Sequence, residues 1–336
     1  MGDAAGAPTV IPPQEHEVDE DHDSALGADD IQSDTTSLAS TILRHREEWG
    51  RTYHKFRSGQ NDYWGPNDDQ QNDQLDIGHH MLTLLLNHQL YLVPLNPSKP
   101  TPSALDGAST PFRVLDVGCG TGLWAMDFAE AWPNAEVNGI DLSPIQPTWV
   151  PPNCFFSIDD VESEWTFPYK HFDFVHIRCL MGSIGDWPTL YRQAYEHMAP
   201  GGWIQHLDMD ISFVSDDGTV GDDHIMAQWS KTFVDAGEKM GKTFNVPDRM
   251  QSLIHDAGFV DLHQVWYKVP VGGWTKDKLM KQIGQWNYYY CLQGCEGWAL
   301  FLLTKVLQWQ MEEIQIFVAK FRAALNDKKN HAYYKM

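Results

Sequence analysis

Apolar and polar residues alternate along the chain in a pattern typical of parallel strands separated by helices. A short apolar run over 112–117 ends in a glycine-rich turn, and an amphipathic segment follows directly over 123–131. This order predicts a buried parallel strand, a tight turn and the start of a helix. The glycines of the turn, Gly118, Gly120 and Gly122, permit positive φ angles and a close approach of the backbone to a ligand.

The same reasoning extends to the rest of the chain. Further strands are predicted from short β-type runs at 135–140, 154–158, 172–177, 202–209, 260–269 and 331–334. Helices are predicted at 41–49, 72–91, 186–198, 222–240, 246–257 and 275–326, the last interrupted near Gly294 and Gly297. We therefore expect an α/β, Rossmann-like fold with a seven-stranded, mostly parallel sheet, N-terminal helices, and a helical insertion before the last strand that forms a lid.

Acidic residues stand at the ends of three successive predicted strands. Asp116 lies at the end of the first, Asp141 closes the second, and Asp159 and Asp160 follow the third. The glycine spacing is not G-x-G-x-x-G, and Asp116 would repel a pyrophosphate but attract an ammonium group. An acid after the second strand suits ribose hydroxyls, and amides at the helix start suit a carboxylate. S-adenosylmethionine combines these groups. A nucleotide-binding domain for another ligand is the alternative.

Several longer stretches then point to a family. They are YHKFRSGQNDYWGPND, LDIGHH, VLDVGCGTG, GIDLSPIQPTWVPPN, IDDVESEW and HIRCLMGSIGDW. With them the chain resembles the LaeA-like fungal class I S-adenosylmethionine-dependent methyltransferases, from about Arg51 to the C-terminus. The resemblance implies that S-adenosyl-L-methionine is bound by Asp116, Gly118, Cys119, Gly120, Gly122, Asp141, Leu142, Asp159, Asp160, Val161 and Arg178. The chain departs from its relatives at Gln71, Gln74 and Gln205.

The acceptor site is less constrained by the sequence. Arg178 follows a strand beside the cofactor, where it is placed to bind a carboxylate or to form a structural ion pair. The predicted substrate-binding residues are Tyr53, Tyr63, Trp64, Arg178, Met181, Trp286 and Tyr289. Candidates for a general base are His79, His80 and His206, with His176 the least accessible. Each of these histidines is alternatively a packed or surface residue, and consecutive His79 and His80 must face different sides.

Charge and composition divide the chain into parts. Residues 1–40 hold ten Asp and Glu and no Lys or Arg, which predicts a disordered acidic tail that aids solubility or docks to a basic partner. The expected parts after it are a helical and aromatic cap (41–100), the cofactor-binding core (101–274), the lid (275–328) and the last core strand (329–336).

The balance of residues also bears on partners and location. A net charge of −22 argues against direct nucleic-acid binding. We expect no metal, no membrane span and no signal peptide. The scattered cysteines fit a reducing compartment, so a cytoplasmic location is expected, with the nucleus as the alternative. A homodimer is compatible with the sequence.

The predicted activity is methyl transfer to a small-molecule acceptor, a carboxylate or a hydroxyl, in fungal secondary metabolism. A carboxylate is ionised at neutral pH and needs no base, whereas a hydroxyl needs one. One alternative is a LaeA-like nuclear regulator that acts through protein partners. Another is a cyclase-type enzyme that keeps the cofactor without transferring a methyl group.

Overall fold

The described part of the chain begins with a short antiparallel hairpin. In the computed structural model, residues 45–55, 63–96, 101–102 and 109–336 are described. Strand β1 (His45–Glu48) pairs with β2 (Arg51–His54), so the helix predicted over 41–49 is wrong for its described residues. The reason is the two-residue turn, because Trp49 and Gly50 both have positive φ, as tight hairpins require. The predicted acidic tail lies outside the described residues.

Helix α1 (Asp69–Leu85) confirms the centre of the amphipathic helix predicted over 72–91. Asp68 caps its start by accepting a hydrogen bond from the Gln71 amide at 3.0 Å. The Arg51 guanidinium binds the same Asp68 carboxylate through Nε at 2.5 Å and Nη2 at 2.7 Å. This bidentate pair fixes β2 to the start of α1.

A five-stranded parallel sheet follows the two-residue strands β3 (Thr101–Pro102) and β4 (Ser109–Thr110). Its strands are β5 (Phe112–Val117), β6 (Ala135–Asp141), β7 (Cys154–Ile158), β8 (Phe172–Arg178) and β9 (Met198–Leu207), in the order β7-β6-β5-β8-β9. All neighbours are parallel, so their carboxyl ends meet at one edge, where α/β proteins bind ligands. The α/β, Rossmann-like prediction is confirmed, with these five strands close to their predicted bounds.

The sixth and seventh predicted strands do not extend this sheet. A separate antiparallel sheet has the order β10-β12-β11, with β10 (Asp210–Val214), β11 (Lys268–Pro270) and β12 (Tyr333–Lys335). Most of the strand predicted over 260–269 is irregular, and its apolar residues Val260 and Val265 are exposed. The predicted seven-stranded sheet is therefore two sheets.

Helices cover the sheets. They are α2 (Leu123–Ala131), α3 (Trp187–His197), α4 (Ile225–Met240) and α5 (Pro247–Asp256). Asp186 caps α3 by accepting from the Thr189 amide at 3.0 Å, as the sequence predicts. None of the helices described in residues 45–336 has the length and apolar character needed to cross a membrane.

The predicted lid region forms α6 (Lys278–Phe301), a π-helical turn (Leu302–Val306) and α7 (Met311–Asn326). Helix α6 runs unbroken through Gly294 and Gly297, which corrects the predicted interruption. These glycines serve close packing: a Cβ on Gly294 would lie 2.3 Å from the Trp298 ring, and one on Gly297 2.9 Å from Arg51 Nη1. Helix α6 packs along α1, with Tyr290 against Gly78.

Candidate active site

The glycine turn is held tightly against the end of β6. The amides of Gly118 and Cys119 donate to the Ile140 carbonyl at 2.9 and 3.0 Å, and the Gly120 amide donates to Asp141 Oδ2 at 2.8 Å. Gly118 has φ +68°, and a Cβ there would lie 2.6 Å from Leu180 Cδ2. The turn thus requires glycine for both its backbone conformation and its packing. Helix α2, which begins at Leu123, has no capping side chain, so its first-turn amides remain available to an anion.

Asp116 presents a buried acceptor to the site. Its Oδ1 accepts a hydrogen bond from His176 Nδ1 at 2.8 Å. The His176 ring stacks on Trp124 at 3.6 Å between centroids, and burial lowers the pKa of His176. Asp116 Oδ2 is buried and has no hydrogen-bond partner among the described residues. A carboxylate oxygen in this state fits a cationic donor.

A cavity of about 90 Å³ lies between the glycine turn, α1 and α6. Thr121 Oγ1 donates to Asp76 Oδ1 at 2.8 Å, and His79 Nε2 lies 2.9 Å from Asp127 Oδ2, so side chains join α1 to the turn and to α2. The polar residues of the wall are His79, Asp116, Thr121, Arg178 and Tyr290, and its apolar residues include Leu75, Leu82 and Met209.

His79, in the cavity wall, contacts both Arg178 and Asp127. Arg178 Nη2 lies 3.2 Å from His79 Nδ1. A guanidinium only donates hydrogen bonds, so Nδ1 must be the acceptor and the ring proton must lie on Nε2, which donates to Asp127. His79 is therefore the neutral Nε2–H tautomer, with both nitrogens engaged. Arg178 forms no ion pair with any described residue, so the structural ion pair considered for it is not observed there.

Asp141 and its neighbours occupy the ends of β6 and β7. Asp141 Oδ1 accepts from the Ser143 amide at 2.9 Å, and the Asp159 amide donates to the Asp141 carbonyl at 3.0 Å. Burial raises the pKa of Asp141 to about 6, against the opposing effect of its bonds to the Ser143 and Gly120 amides. Leu142 and Asp159 are half-buried, whereas Asp160 and Val161 are buried. Their predicted contacts with ribose and adenine stay predictions.

Other titratable groups around the cavity are held in their neutral forms. Burial raises the pKa of Tyr290 well above its ordinary value and that of the Cys179 thiol to about 12. Burial also raises the pKa of Cys119. A protonated thiol is a poor nucleophile, so these side chains do not supply covalent catalysis at neutral pH.

The structure places several predicted site residues elsewhere. His206 has a side chain that is 0% exposed and bonds Tyr191 at 2.7 Å and Asp208 at 3.1 Å, so both ring nitrogens are engaged within the fold. His80 lies on the exposed side of α1, beside Trp286. Neither histidine lines this cavity, and their role as bases stays a prediction.

Most of the predicted substrate-binding residues also lie outside this cavity. Tyr53 is fully buried against Trp49 and Phe301, and Trp64 donates its Nε1 hydrogen to the Gly182 carbonyl at 2.9 Å. Met181 is a buried core residue. Tyr63 lies near Asp141, outside the cavity wall, and burial raises its pKa. Trp286 and Tyr289 line a separate groove on the outer side of α6.

The sequence did not predict three residues that line the cavity or hold its wall in place: Tyr290, Asp127 and Asp76. The helical period of α6 contains the signal for Tyr290, because Ile283, Asn287, Tyr290 and Gly294 form its buried side. Asp127 and Asp76 carry no comparable local signal, since each finds its partner on another element.

Comparison with known proteins agrees with this geometry. A family model described as a methyltransferase domain matches residues 78–264. The chain is 37% identical to methyltransferase pytC of Aspergillus terreus over 96% of this chain and 94% of that protein. It is 36% identical to the secondary metabolism regulator LAE1 of Cochliobolus heterostrophus over 85% of this chain and 91% of that protein. It is 32% identical to the protein-methionine methyltransferase laeA of Emericella nidulans over 85% of this chain and 73% of that protein.

The parallel sheet, the glycine turn and the acids at the strand ends define a Rossmann-like methyltransferase. The chain belongs to the methyltransferase domain family and to its LaeA-like fungal branch, which confirms the resemblance. Its cofactor is S-adenosylmethionine. The residues fit this cofactor, because buried Asp116 Oδ2 suits the ammonium group and the uncapped start of α2 suits the carboxylate.

Proposed function

We propose that this methyltransferase transfers a methyl group to a carboxylate oxygen of a small apolar acid. The observation that carries the proposal is Arg178, a cation in the cavity wall that contacts neutral His79 and has no carboxylate partner in the described chain. The cavity offers two separate features for anions, the start of α2 and Arg178. The amino-acid end of the cofactor has a single carboxylate, so Arg178 is left for the acceptor.

The remaining side chains hold and orient the reactants. S-adenosylmethionine supplies an electrophilic methyl group when bound. Asp116 holds its ammonium end, Asp141 accepts from its ribose, and the apolar wall residues Leu75, Leu82 and Met209 exclude water and suit an apolar acceptor. Fixing the acceptor oxygen in place accounts for much of the expected acceleration.

The absence of a free base in the described cavity wall also favours a carboxylate. Both nitrogens of His79 are engaged, and the free oxygen of Asp116 is assigned to the cofactor. Tyr290 and Cys179 stay protonated because burial raises their pKa. A carboxylate acceptor is already ionised, whereas a hydroxyl would require one of these groups to take its proton.

A second candidate is methylation of a protein by a LaeA-like regulator. The same lack of a base fits a thioether sulfur, which is nucleophilic without losing a proton. The relative from Emericella nidulans is named a protein-methionine methyltransferase. This candidate requires the cavity to open far enough to admit a side chain of another protein.

Methyl-labelled S-adenosylmethionine, the purified protein and an extract of its native cells separate these functions. We expect label in the solvent-extractable fraction, and loss of that label with Arg178→Met. Label confined to the protein fraction would support the second candidate. No label despite tight cofactor binding would overturn methyl transfer and favour the cyclase-type alternative.

A further inference from the structure

A second concave surface lies outside the methyl-transfer cavity. It is a groove of about 900 Å³ between α6, the end of α7 and the loop before α6. We call it the aromatic groove; its aromatic residues are Trp274, Trp286, Tyr288 and Tyr289, and its other residues include Gly272, Gly273, Gln282, Gln285, Asn326 and Lys328. Tyr290, which lines the cavity, faces the other side of α6. The groove is therefore separate from that cavity.

Two rings of the groove are held by hydrogen bonds, and the groove presents aromatic surface to solvent. Trp274 donates its Nε1 hydrogen to the Ala332 carbonyl at 3.1 Å, and the Tyr288 hydroxyl donates to Asn326 Oδ1 at 2.9 Å. Tyr289 is 51% exposed and Trp274 is 36% exposed. Rigid aromatic rings whose polar atoms are already satisfied contribute contact area at little cost in conformational entropy, as binding surfaces use them.

The charge around the groove is opposite to that of the whole chain. Five exposed lysines lie on or beside it: Lys276, Lys278, Lys281, Lys328 and Lys329. None of them forms an ion pair with a residue in the described ranges, whereas Lys231, Lys242, Lys268 and Lys305 each pair with an acid. Three nearby acids offset part of this positive charge: Asp277 caps α6, Asp327, which lines the groove, accepts from the Lys329 amide, and Asp217 pairs with His331.

From these observations we infer that the aromatic groove is a docking site for an extended acidic segment of a partner protein. The lysines attract its carboxylates, and the rings pack against its apolar or proline side chains. The chain has a formal net charge of −22, so an acidic partner is repelled elsewhere and directed to this surface. The inference does not depend on the identity of the methyl acceptor.

Selection from a displayed library of random peptides tests this without a known partner. We expect the peptides retained by the full-length protein to be acidic and to bind more weakly as salt is raised. The double variant Lys281→Glu/Lys328→Glu and the single variant Tyr289→Ala should each weaken binding about ten-fold or more. All three positions are exposed, so these changes leave the fold intact.

A matched control uses Trp149, which is 91% exposed, and Lys239, which is exposed on α4. Trp149→Ala/Lys239→Glu removes one exposed ring and reverses one charge away from the groove, and should leave binding unchanged. Retained peptides that are not acidic would overturn the inference. So would equal loss in the control, or a selection that retains no peptide.

Discussion

His79 Nδ1 accepts a hydrogen bond from Arg178 Nη2 over 3.2 Å, while His79 Nε2 donates to Asp127 Oδ2 over 2.9 Å. The three side chains come from β8, α1 and α2, so this chain of contacts fixes the cover of the cavity as well as the guanidinium within it. Asp127 acts through His79 and is therefore a positioning residue.

Asp127→Leu should leave the Nε2 hydrogen of His79 without its acceptor. Arg178 still donates to Nδ1, so the tautomer should not change, but the ring loses one of its two fixed contacts. Turnover of the methyl acceptor should fall roughly ten-fold, equivalent to ~1.4 kcal/mol for one lost hydrogen bond. Asp127→Asn, which retains an acceptor oxygen, should restore most of the activity. Unchanged turnover in the leucine variant would show that Asp127 does not position His79.

Arg178→Met should separate acceptor binding from cofactor binding. The substitution keeps the length and apolar stem of the side chain but removes its charge. We expect the KM for the acceptor to rise by ten-fold or more, corresponding to ~1.5–3 kcal/mol for a hydrogen bond to a charged group. The Kd for S-adenosylmethionine, measured by calorimetry, should change little. A large increase in that Kd would instead assign Arg178 to the carboxylate of the cofactor.

Cofactor affinity should depend on the ionisation of Asp141. Burial raises the pKa of Asp141 to about 6, and its ionised form is the better acceptor for ribose hydroxyls. Affinity should therefore increase as the pH rises through about 6. In Asp141→Asn this titration should be absent, and affinity at neutral pH should be lower by ~1–3 kcal/mol.

Without cofactor, the free energy of unfolding should decrease as the pH rises and the Asp141 carboxyl ionises. A pKa raised from 3.8 to about 6 means that the folded state binds the Asp141 proton more tightly than the unfolded chain. The resulting stabilisation is complete below pH 3.8 and is lost as the pH rises through about 6. Denaturant titrations of the wild type and Asp141→Asn should therefore diverge in this interval. Parallel pH profiles would contradict the buried carboxyl.

The glycine turn offers a test with a matched control. Gly120 has φ +57° with only Leu75 Cδ1 within 4 Å of a built Cβ, at 3.5 Å, and Gly201 has φ +81° in open space. Gly120→Ala and Gly201→Ala should each cost ~1–2 kcal/mol of stability from left-handed backbone strain. Only Gly120→Ala should also weaken cofactor binding, because its amide holds Asp141. Equal cofactor affinity in both variants would remove the turn from the binding site.

The central part of the fold was predictable because its signals are local. The five parallel strands are short apolar runs, and the glycines and acids that end them are adjacent in sequence. The hairpin at Trp49 and Gly50 was missed, since a tryptophan at positive φ has no sequence signature. The strand predicted over 260–269 largely failed because tertiary pairing, rather than β propensity, decides which runs become strands.

Site residues that lie within one segment of the sequence could be predicted. Contacts between residues of different elements could not. Asp116, Arg178, Gly118 and Gly120 line the cavity, because they lie at strand ends or directly after them. Tyr289 was chosen in place of Tyr290, although the helical period distinguishes the two sides of α6. The partnership of His79 with Asp127 connects residues 48 positions apart, and only the packing of α1 on α2 brings them together.

The central claim is that the acceptor is a carboxylate held by Arg178, and alkali treatment of the labelled product tests it most directly. A methyl ester is cleaved by mild alkali and releases volatile labelled methanol, whereas methyl ethers, amines and carbon-bound methyl groups are stable. We predict that the label in the solvent-extractable fraction becomes volatile, and that its formation depends on Arg178. An alkali-stable product would contradict the assignment of a carboxylate acceptor.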